Sequence, residues 1–261
     1  MKFRPCIDIH NGQVKQIVGA SLRDMGDEAV DNFVSGHGGG YYAEMFRQRD
    51  LTGGHVILLN PAGSPWYEAT RKQALEALSA WPDGMQLGGG VNAENAEQWL
   101  DAGASHVIVT SYAFSGGTIN YENLEALKKA AGREHVVLDV SCRKRDAESG
   151  RYFIVTDRWQ KFTDVELSVD TLNELADYCD EFLIHAADVE GRQGGIEDGV
   201  VEILAGYDGN PCTYAGGVHS LEDISLIRQA GRGRLDVTVG SALDIFGGPL
   251  AMDDVIAACG V

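Results

Sequence analysis

Gln86-Leu-Gly-Gly-Gly-Val91 and Thr213-Tyr-Ala-Gly-Gly-Val218 are two copies of one short segment, set half a chain apart, and their repetition decides the fold. Each copy puts a pair of glycines at the end of an apolar strand. Helix-like runs of equal length follow, Asn92 to Gly103 and Ser220 to Gly231. The next strands match as well, His106-Val-Ile-Val-Thr-Ser111 lying over Asp236-Val-Thr-Val-Gly-Ser241. The chain reads as two fused half-domains, approximately 1–132 and 133–261, making one domain over 1–261.

Working outward, strand-like runs recur at Phe3 to Ile9, His55 to Leu59, Met85 to Leu87, His106 to Thr110, His135 to Val140, Phe182 to Ala187, Cys212 to Tyr214 and Leu235 to Val239. Helical patterns lie between them, at Glu68 to Ala80, Tyr121 to Ala131 and Val169 to Tyr178, with apolar residues three and four apart. Ser220 with Asp223 makes a capping box, and Gly231 a stop. Eight alternating units with near-continuous apolar strands predict an α/β fold, a single (β/α)8 TIM barrel with a twofold half-barrel repeat. An open doubly wound sheet is the alternative. It fits worse, because neither glycine run opens the chain and a half-chain repeat has no place in a dinucleotide fold. The glycine-rich stretch Met25 to Gly40 is expected to be a long mobile loop at the active-site face.

The repeat carries chemistry with it. Pro5-Cys-Ile-Asp-Ile9 sets Asp8 in an apolar strand, and Val136-Val-Leu-Asp-Val140 sets Asp139 in the same position of the second half. A glycine turn and a β-rich ribbon then follow in each, Asn11-Gly12 before Gln13 to Val18 and Ser149-Gly150 before Arg151 to Thr156. Either aspartate alone could cap a loop. As a pair at equivalent ends of strands one and five they flank the barrel mouth, where acid–base work requires one carboxyl ionised and the other protonated.

Glycines at a strand end let the backbone approach a ligand, and the first-turn amides of the next helix are expected to point at a phosphate. Barrels bind phosphate after strands seven and eight, here Gly216, Gly217, Gly240 and Ser241, and the repeat supplies a second cradle from Gly89, Gly90, Thr110 and Ser111. One such motif could be a tight turn only. Two in register describe a site for a small molecule with phosphate at both ends.

Trp159, in Asp157-Arg-Trp-Gln-Lys161, is poor core material and a good stacking lid for a planar ring; the loop Arg143 to Lys161 is expected to be mobile and to close over the ligand. Arg143-Lys-Arg145 with Arg158 and Lys161 forms a positive island that is either a solvated loop or an anion guide. His10, His55, His185 and His219 lie near strand ends without helical metal spacing, so no metal site is expected. Cys142 has no identifiable base and reads as a small packed residue.

With 44% apolar and 23% charged residues the composition is globular, and a net charge of −18 argues against nucleic acid as a partner. No apolar run reaches the roughly 18 residues of a membrane span, and no signal-peptide core precedes the first strand, so a cytoplasmic location is expected. Five scattered cysteines without a Cys-x-x-Cys pair fit neither a disulfide framework nor a zinc cage.

Cys6-Ile-Asp-Ile-His-Asn-Gly-Gln-Val-Lys15, Thr156-Asp-Arg-Trp-Gln-Lys-Phe162 and Thr238-Val-Gly-Ser-Ala-Leu-Asp-Ile-Phe-Gly-Gly248, with the two glycine segments and His106 to Tyr112, resemble the phosphoribosylformimino-aminoimidazole carboxamide ribotide isomerases of histidine biosynthesis, in their eukaryotic-type branch. The resemblance covers nearly the whole chain. It implies an aminoaldose-to-aminoketose isomerisation, an Amadori rearrangement, on a bisphosphorylated substrate without cofactor; a monomer is expected, though the sequence does not fix the oligomeric state. It also implies Asp8 as general base, Asp139 as general acid, the two glycine cradles as phosphate sites, and Trp159 as the residue stacking on the imidazole. Departures from the prokaryotic pattern are Asn92 for an arginine, Leu58 for an acid, and His185-Ala-Ala-Asp-Val189 where a threonine is expected. A non-catalytic phosphosugar-binding barrel and the cyclising synthase barrel of the same pathway share the repeat and are the alternatives.

Overall fold

The computed structural model describes residues 1–17, 31–146, 149–192 and 194–260. The first half runs β1 (Cys6–His10), β2 (Gln13–Ile17), β3 (Asp31–Val34), α1 (Gly39–Arg47), β4 (Gly54–Leu58), α2 (Tyr67–Ala80), β5 (Met85–Gly88), α3 (Ala96–Asp101), β6 (His106–Val109) and α4 (Tyr121–Ala131). The second half runs β7 (Val136–Asp139), β8 (Cys142–Lys144), β9 (Tyr152–Thr156), β10 (Lys161–Glu166), α5 (Val169–Leu175), β11 (Glu181–His185), α6 (Asp198–Ala205), β12 (Cys212–Ala215), α7 (Leu221–Ala230), β13 (Leu235–Val237) and α8 (Met252–Cys259). Among the described residues no helix is long and apolar enough to cross a membrane.

The eight expected strands pair in parallel in the order β1-β4-β5-β6-β7-β11-β12-β13, a curled sheet whose crossovers are helical. Its two ends meet: Phe3 bridges Val237 in parallel, Arg4 N donates to Val237 O at 2.8 Å, and Val237 N donates to Lys2 O at 3.0 Å. Every residue of β5, β7, β11 and β12 is buried, as expected of strands covered on both faces. One face packs under the helices in a large apolar cluster that includes Tyr42, Phe46, Leu78, Leu124, Leu172 and Ile224. The other face holds a separate small cluster of Ile108, Val137, Leu183 and Ala215, with Ile57 packed on it. Beneath lies a polar floor. Buried Arg4 donates to Asp236 Oδ2 at 2.9 Å and to Glu181 Oε1 at 3.2 Å, and Gln86 Nε2 donates to Glu181 Oε2 at 2.8 Å, so each buried charge meets its partners.

An antiparallel ribbon follows the first strand of each half. In the first, Asn11 and Gly12 both take positive φ, 52° and 74°, the pair a type I′ turn requires, and β2 folds back on β1 with β3 beyond it. In the second, β8, β9 and β10 form their own three-stranded sheet. The stretch 25–40, expected as loop, corrects in part: residues 25–30 lie outside the described residues, 31–34 form β3, and the glycines at 39 and 40 open α1. Those glycines are there for packing, since a Cβ on Gly39 would sit 2.5 Å from Gln73 O, where α1 crosses α2. Val18, the end of the first expected ribbon, also lies outside the described residues.

Candidate active site

β1 ends in the apolar run that carries Asp8 and β7 ends on Asp139, so the sheet delivers both carboxyls to the same rim. A cavity of about 540 Å³ opens there, lined by Asp8, Asp139, Gly89, Gly90, Thr110, Ser111 and Trp159 among others. A narrower cavity adjoins it and is lined by Gly216, Gly217, Gly240, Ser241 and Thr238. Asp8, His185 and Glu190 line both. All eleven residues singled out from the sequence therefore face one continuous cleft, with a glycine cradle to either side of the shared carboxyl and imidazole groups.

The cradles share their backbone geometry. Gly89 and Gly90 have φ of 104° and 75°; Gly216 and Gly217 have 120° and 73°. Any Cβ on Gly89 would collide with the Leu58 carbonyl, and one on Gly216 would stand 2.8 Å from Ala186 O. These glycines thus let the turn pass the end of the neighbouring strand. Their exposure differs, Gly90 and Ser111 being open to solvent and Gly216 and Gly217 buried.

The helix starts use some of their own amides. Ser220 Oγ accepts from Asp223 N, while Asp223 Oδ2 accepts from His219 N at 2.9 Å and Ser220 N at 3.1 Å, so a capping box engages these three amides at the start of α7. After the first cradle, Asn92 N donates to Asn95 Oδ1, and α3 begins only at Ala96.

Electrostatics separate the two aspartates. Burial and the nearby Glu190 carboxylate, only partly opposed by His185, push Asp8 up from 3.8 to about 7. Burial acts on Asp139 too, but His185 and hydrogen bonds from His185 and Ser141 outweigh it and hold Asp139 below the ordinary carboxylate range. Its Oδ1 accepts from Ser141 N at 2.9 Å, Ser141 Oγ at 2.7 Å and His185 Nδ1 at 3.4 Å. Burial works against protonation of His185, yet Asp139, then Glu190 and Asp8, raise it to about 9. These shifts favour an Asp139 carboxylate against a His185 imidazolium, with Asp8 held closer to neutrality than an ordinary carboxyl.

Most of the span expected as a mobile lid is the β8–β9–β10 ribbon, with residues 147–148 outside the described residues. Its tip lies in the cleft. Trp159 Nε1 donates to Ser141 Oγ at 2.9 Å, its ring centroid is 5.6 Å from that of His185, and Asp157 N donates to Ser111 Oγ at 3.2 Å. Asp157, Arg158 and Trp159 hold φ of 51°, 56° and 66°, three consecutive left-handed residues without a glycine, a costly turn that places the indole. The positive island is largely neutralised: Arg143 pairs with Asp188 at 2.7 Å, Lys144 with Glu197 at 2.8 Å and Lys161 with Asp157 at 2.7 Å. Arg143 also donates to Trp159 O at 3.3 Å, so it braces the tip. Cys142 is buried, and burial pushes its thiol far up, which suits a packed residue.

Sequence reasoning missed Glu190 and Ser141 and weighed His185 only as a metal ligand. The signals were present: His185 ends the sixth parallel strand, Glu190 precedes the turn glycine Gly191 (φ 69°), and Ser141 stands two residues after Asp139.

A model of the histidine biosynthesis protein family matches residues 2–247. The chloroplastic 1-(5-phosphoribosyl)-5-((5-phosphoribosylamino)methylideneamino)imidazole-4-carboxamide isomerase of Medicago truncatula is 49% identical over 261 residues, covering 98% of this chain and 81% of that protein. Proteins given the same isomerase name in Neurospora crassa and Saccharomyces cerevisiae are each 45% identical, covering 95% of this chain and 93% and 94% of their own lengths.

Proposed function

The chain belongs to the histidine biosynthesis protein family, and on that premise we propose that it is the isomerase converting the formimino aminoimidazole carboxamide ribotide from aminoaldose to aminoketose. The observation that carries this reading is the cleft shared by Asp8 and Asp139 with a glycine cradle on each flank. The relatives' names favour the isomerase over a cyclising synthase or a sensor.

In this reading the curled sheet is a closed (β/α)8 barrel with a half-barrel repeat. The Phe3–Val237 bridge, the matched φ pairs of the cradles and the ribbon after β1 and β7 support it. One phosphate of the substrate sits against Gly216, Gly217, Gly240 and Ser241, the other against Gly89, Gly90, Thr110 and Ser111. Anchoring both ends positions the aminoribose between them and removes the orientational cost of the reaction. A single chain supplies every one of these residues, so a monomer suffices.

The chemistry moves protons only. The Asp139 side delivers one to the ribose ring oxygen, opening the ring to an imine, and Asp8 takes the C2′ proton to give an enolamine that tautomerises to the ketose. Each group contributes about 10²- to 10⁴-fold. Trp159 stacks on the imidazole and screens the intermediates from water. The test is to incubate the purified protein with the ribotide and follow the ribulosyl product by chromatography. Conversion is expected; none under any buffer condition would leave a binding function in its place.

A further inference from the structure

We propose that His185 is a further catalytic residue, its imidazolium giving the ring-opening proton to the substrate while Asp139 acts as its fixed counter-ion. This rests on the isomerase reading. The geometry argues for it first. Asp139 Oδ1 accepts three hydrogen bonds, from Ser141 N, Ser141 Oγ and His185 Nδ1, donors that favour the ionised carboxylate and suit it to pair with the imidazolium. His185 ends β11, is buried, and lines both halves of the cleft beside Asp8 and Glu190, so its ring stands where the sugar must pass.

The groups facing His185 agree. Asp139 comes from β7, Asp8 from β1 and Glu190 from the segment after β11, all carboxyls that favour the imidazolium. From β4, His55 presents its ring edge-on at 5.8 Å, and burial first, then His185 itself, hold it down at about 3, so it is neutral. Trp159 covers the remaining side at 5.6 Å. Asp8, raised to about 7 and not bound to His185, is in part ionised near neutrality and so is available for the base role.

The steps balance. His185 Nε2–H protonates the ring oxygen, the C1′–O bond breaks, and the amine lone pair forms the C1′=N bond. Asp8 carboxylate removes the C2′ proton, whose electron pair becomes C1′=C2′ as the C=N pair returns to nitrogen. Protonated Asp8 then delivers its proton to C1′, neutral His185 takes the proton of the C2′ hydroxyl as the carbonyl forms, and both groups are restored.

The test is the pH profile of kcat for the wild type, His185→Gln and Asp139→Asn, with the imidazole nitrogens of His185 followed by NMR titration. In the wild type kcat should fall on the alkaline side near pH 9, together with the NMR transition of His185. His185→Gln should lose about 10²- to 10⁴-fold in kcat with KM within about threefold. Asp139→Asn should move the alkaline limb and the NMR transition down toward the ordinary histidine value near 6.5, keeping part of its turnover at pH 6. For a variant without the ring, His185→Ala, added imidazole should restore turnover at least in part. Near-native kcat in His185→Gln, or an Asp139→Asn protein dead at every pH beside an active His185→Gln, would overturn the proposal. A wild type that converts no ribotide at any pH removes the isomerase reading, and the proposal with it; an active wild type beside an undiminished His185→Gln removes the role of His185 alone.

Discussion

Trp159 is tied to Asp139 through one hydroxyl: its indole N–H donates to Ser141 Oγ at 2.9 Å, and Ser141 Oγ donates to Asp139 Oδ1 at 2.7 Å. The indole at the ribbon tip and the Asp139 carboxylate are thus held by the same side chain.

Substituting Trp159 separates the two roles. Trp159→Phe keeps a stacking ring and loses the N–H, so product affinity should stay within a few-fold while kcat drops. Trp159→Ala should weaken product binding by about 1–3 kcal/mol, the usual worth of a base–aromatic stack. Isothermal calorimetry reads both. In a variant retaining this tryptophan alone of the four, emission should change on saturation with product. Constant emission with binding confirmed by calorimetry would deny the stack.

Asp8→Asn should abolish turnover and leave product affinity within about tenfold, because phosphate anchoring is separate from proton removal. It should also change stability with a defined sign. Asp8 is raised from 3.8 to about 7 in the folded protein, so its contribution is full below pH 4 and is lost as pH rises through 7. The Asn variant escapes that loss. Its urea midpoint should exceed the wild type's at pH 8 and match it near pH 4.

The cradles should respond unequally to added methyl groups. Gly90 has open space around a Cβ and only its φ of 75° to strain, so Gly90→Ala should cost about 1–2 kcal/mol of stability and weaken product binding. On Gly217 a Cβ would strike the Gly195 carbonyl and stand 3.0 Å from Val189 Cβ. Gly217→Ala should therefore lower the melting temperature further than Gly90→Ala, by differential scanning calorimetry. Equal melting points would mean that the 195 turn yields freely.

His55 predicts acid sensitivity. Burial and then His185 hold it down at about 3, so between that value and the ordinary 6.5 the unfolded chain binds a proton that the folded one refuses. Its share of stability is full above 6.5 and falls as pH drops through that window. His55→Gln should flatten the fall in urea midpoint between pH 6.5 and 4; an unchanged slope assigns the acid loss to other groups.

The strands and the two cradles were legible because their signals are local: apolar runs of the right length and glycines where the turn needs positive φ. Tyr121 to Ala131 matches α4 to the residue, whereas Asn92 to Gly103 shrinks to Ala96–Asp101 because a turn comes first, in which Asn95 Oδ1 accepts from Asn92 N and Asn92 Oδ1 from Glu94 N. Helix α1 was hidden by its opening glycines, which pack against α2 and do not mark a loop. In the cleft, side chains at strand ends could be picked out by register. The protonation order could not, since it depends on His185 at the end of β11 and Glu190 in the segment after it reaching Asp139 and Asp8 from distant parts of the chain.

The Arg4–Asp236 bond has a consequence for biosynthesis. Its partners are separated by 232 positions, so a chain leaving the ribosome holds the start of β1 without its neighbour until nearly everything else has emerged. During that wait the edge is a template for pairing with other nascent chains, and the Arg4 cation on it, without a counter-charge until Glu181 and then Asp236 follow, is what discourages such pairing. Once Asp236 arrives, the same guanidinium becomes the latch. Arg4→Leu is therefore a change whose harm should appear as aggregation during expression more than as a lower melting point of the finished molecule.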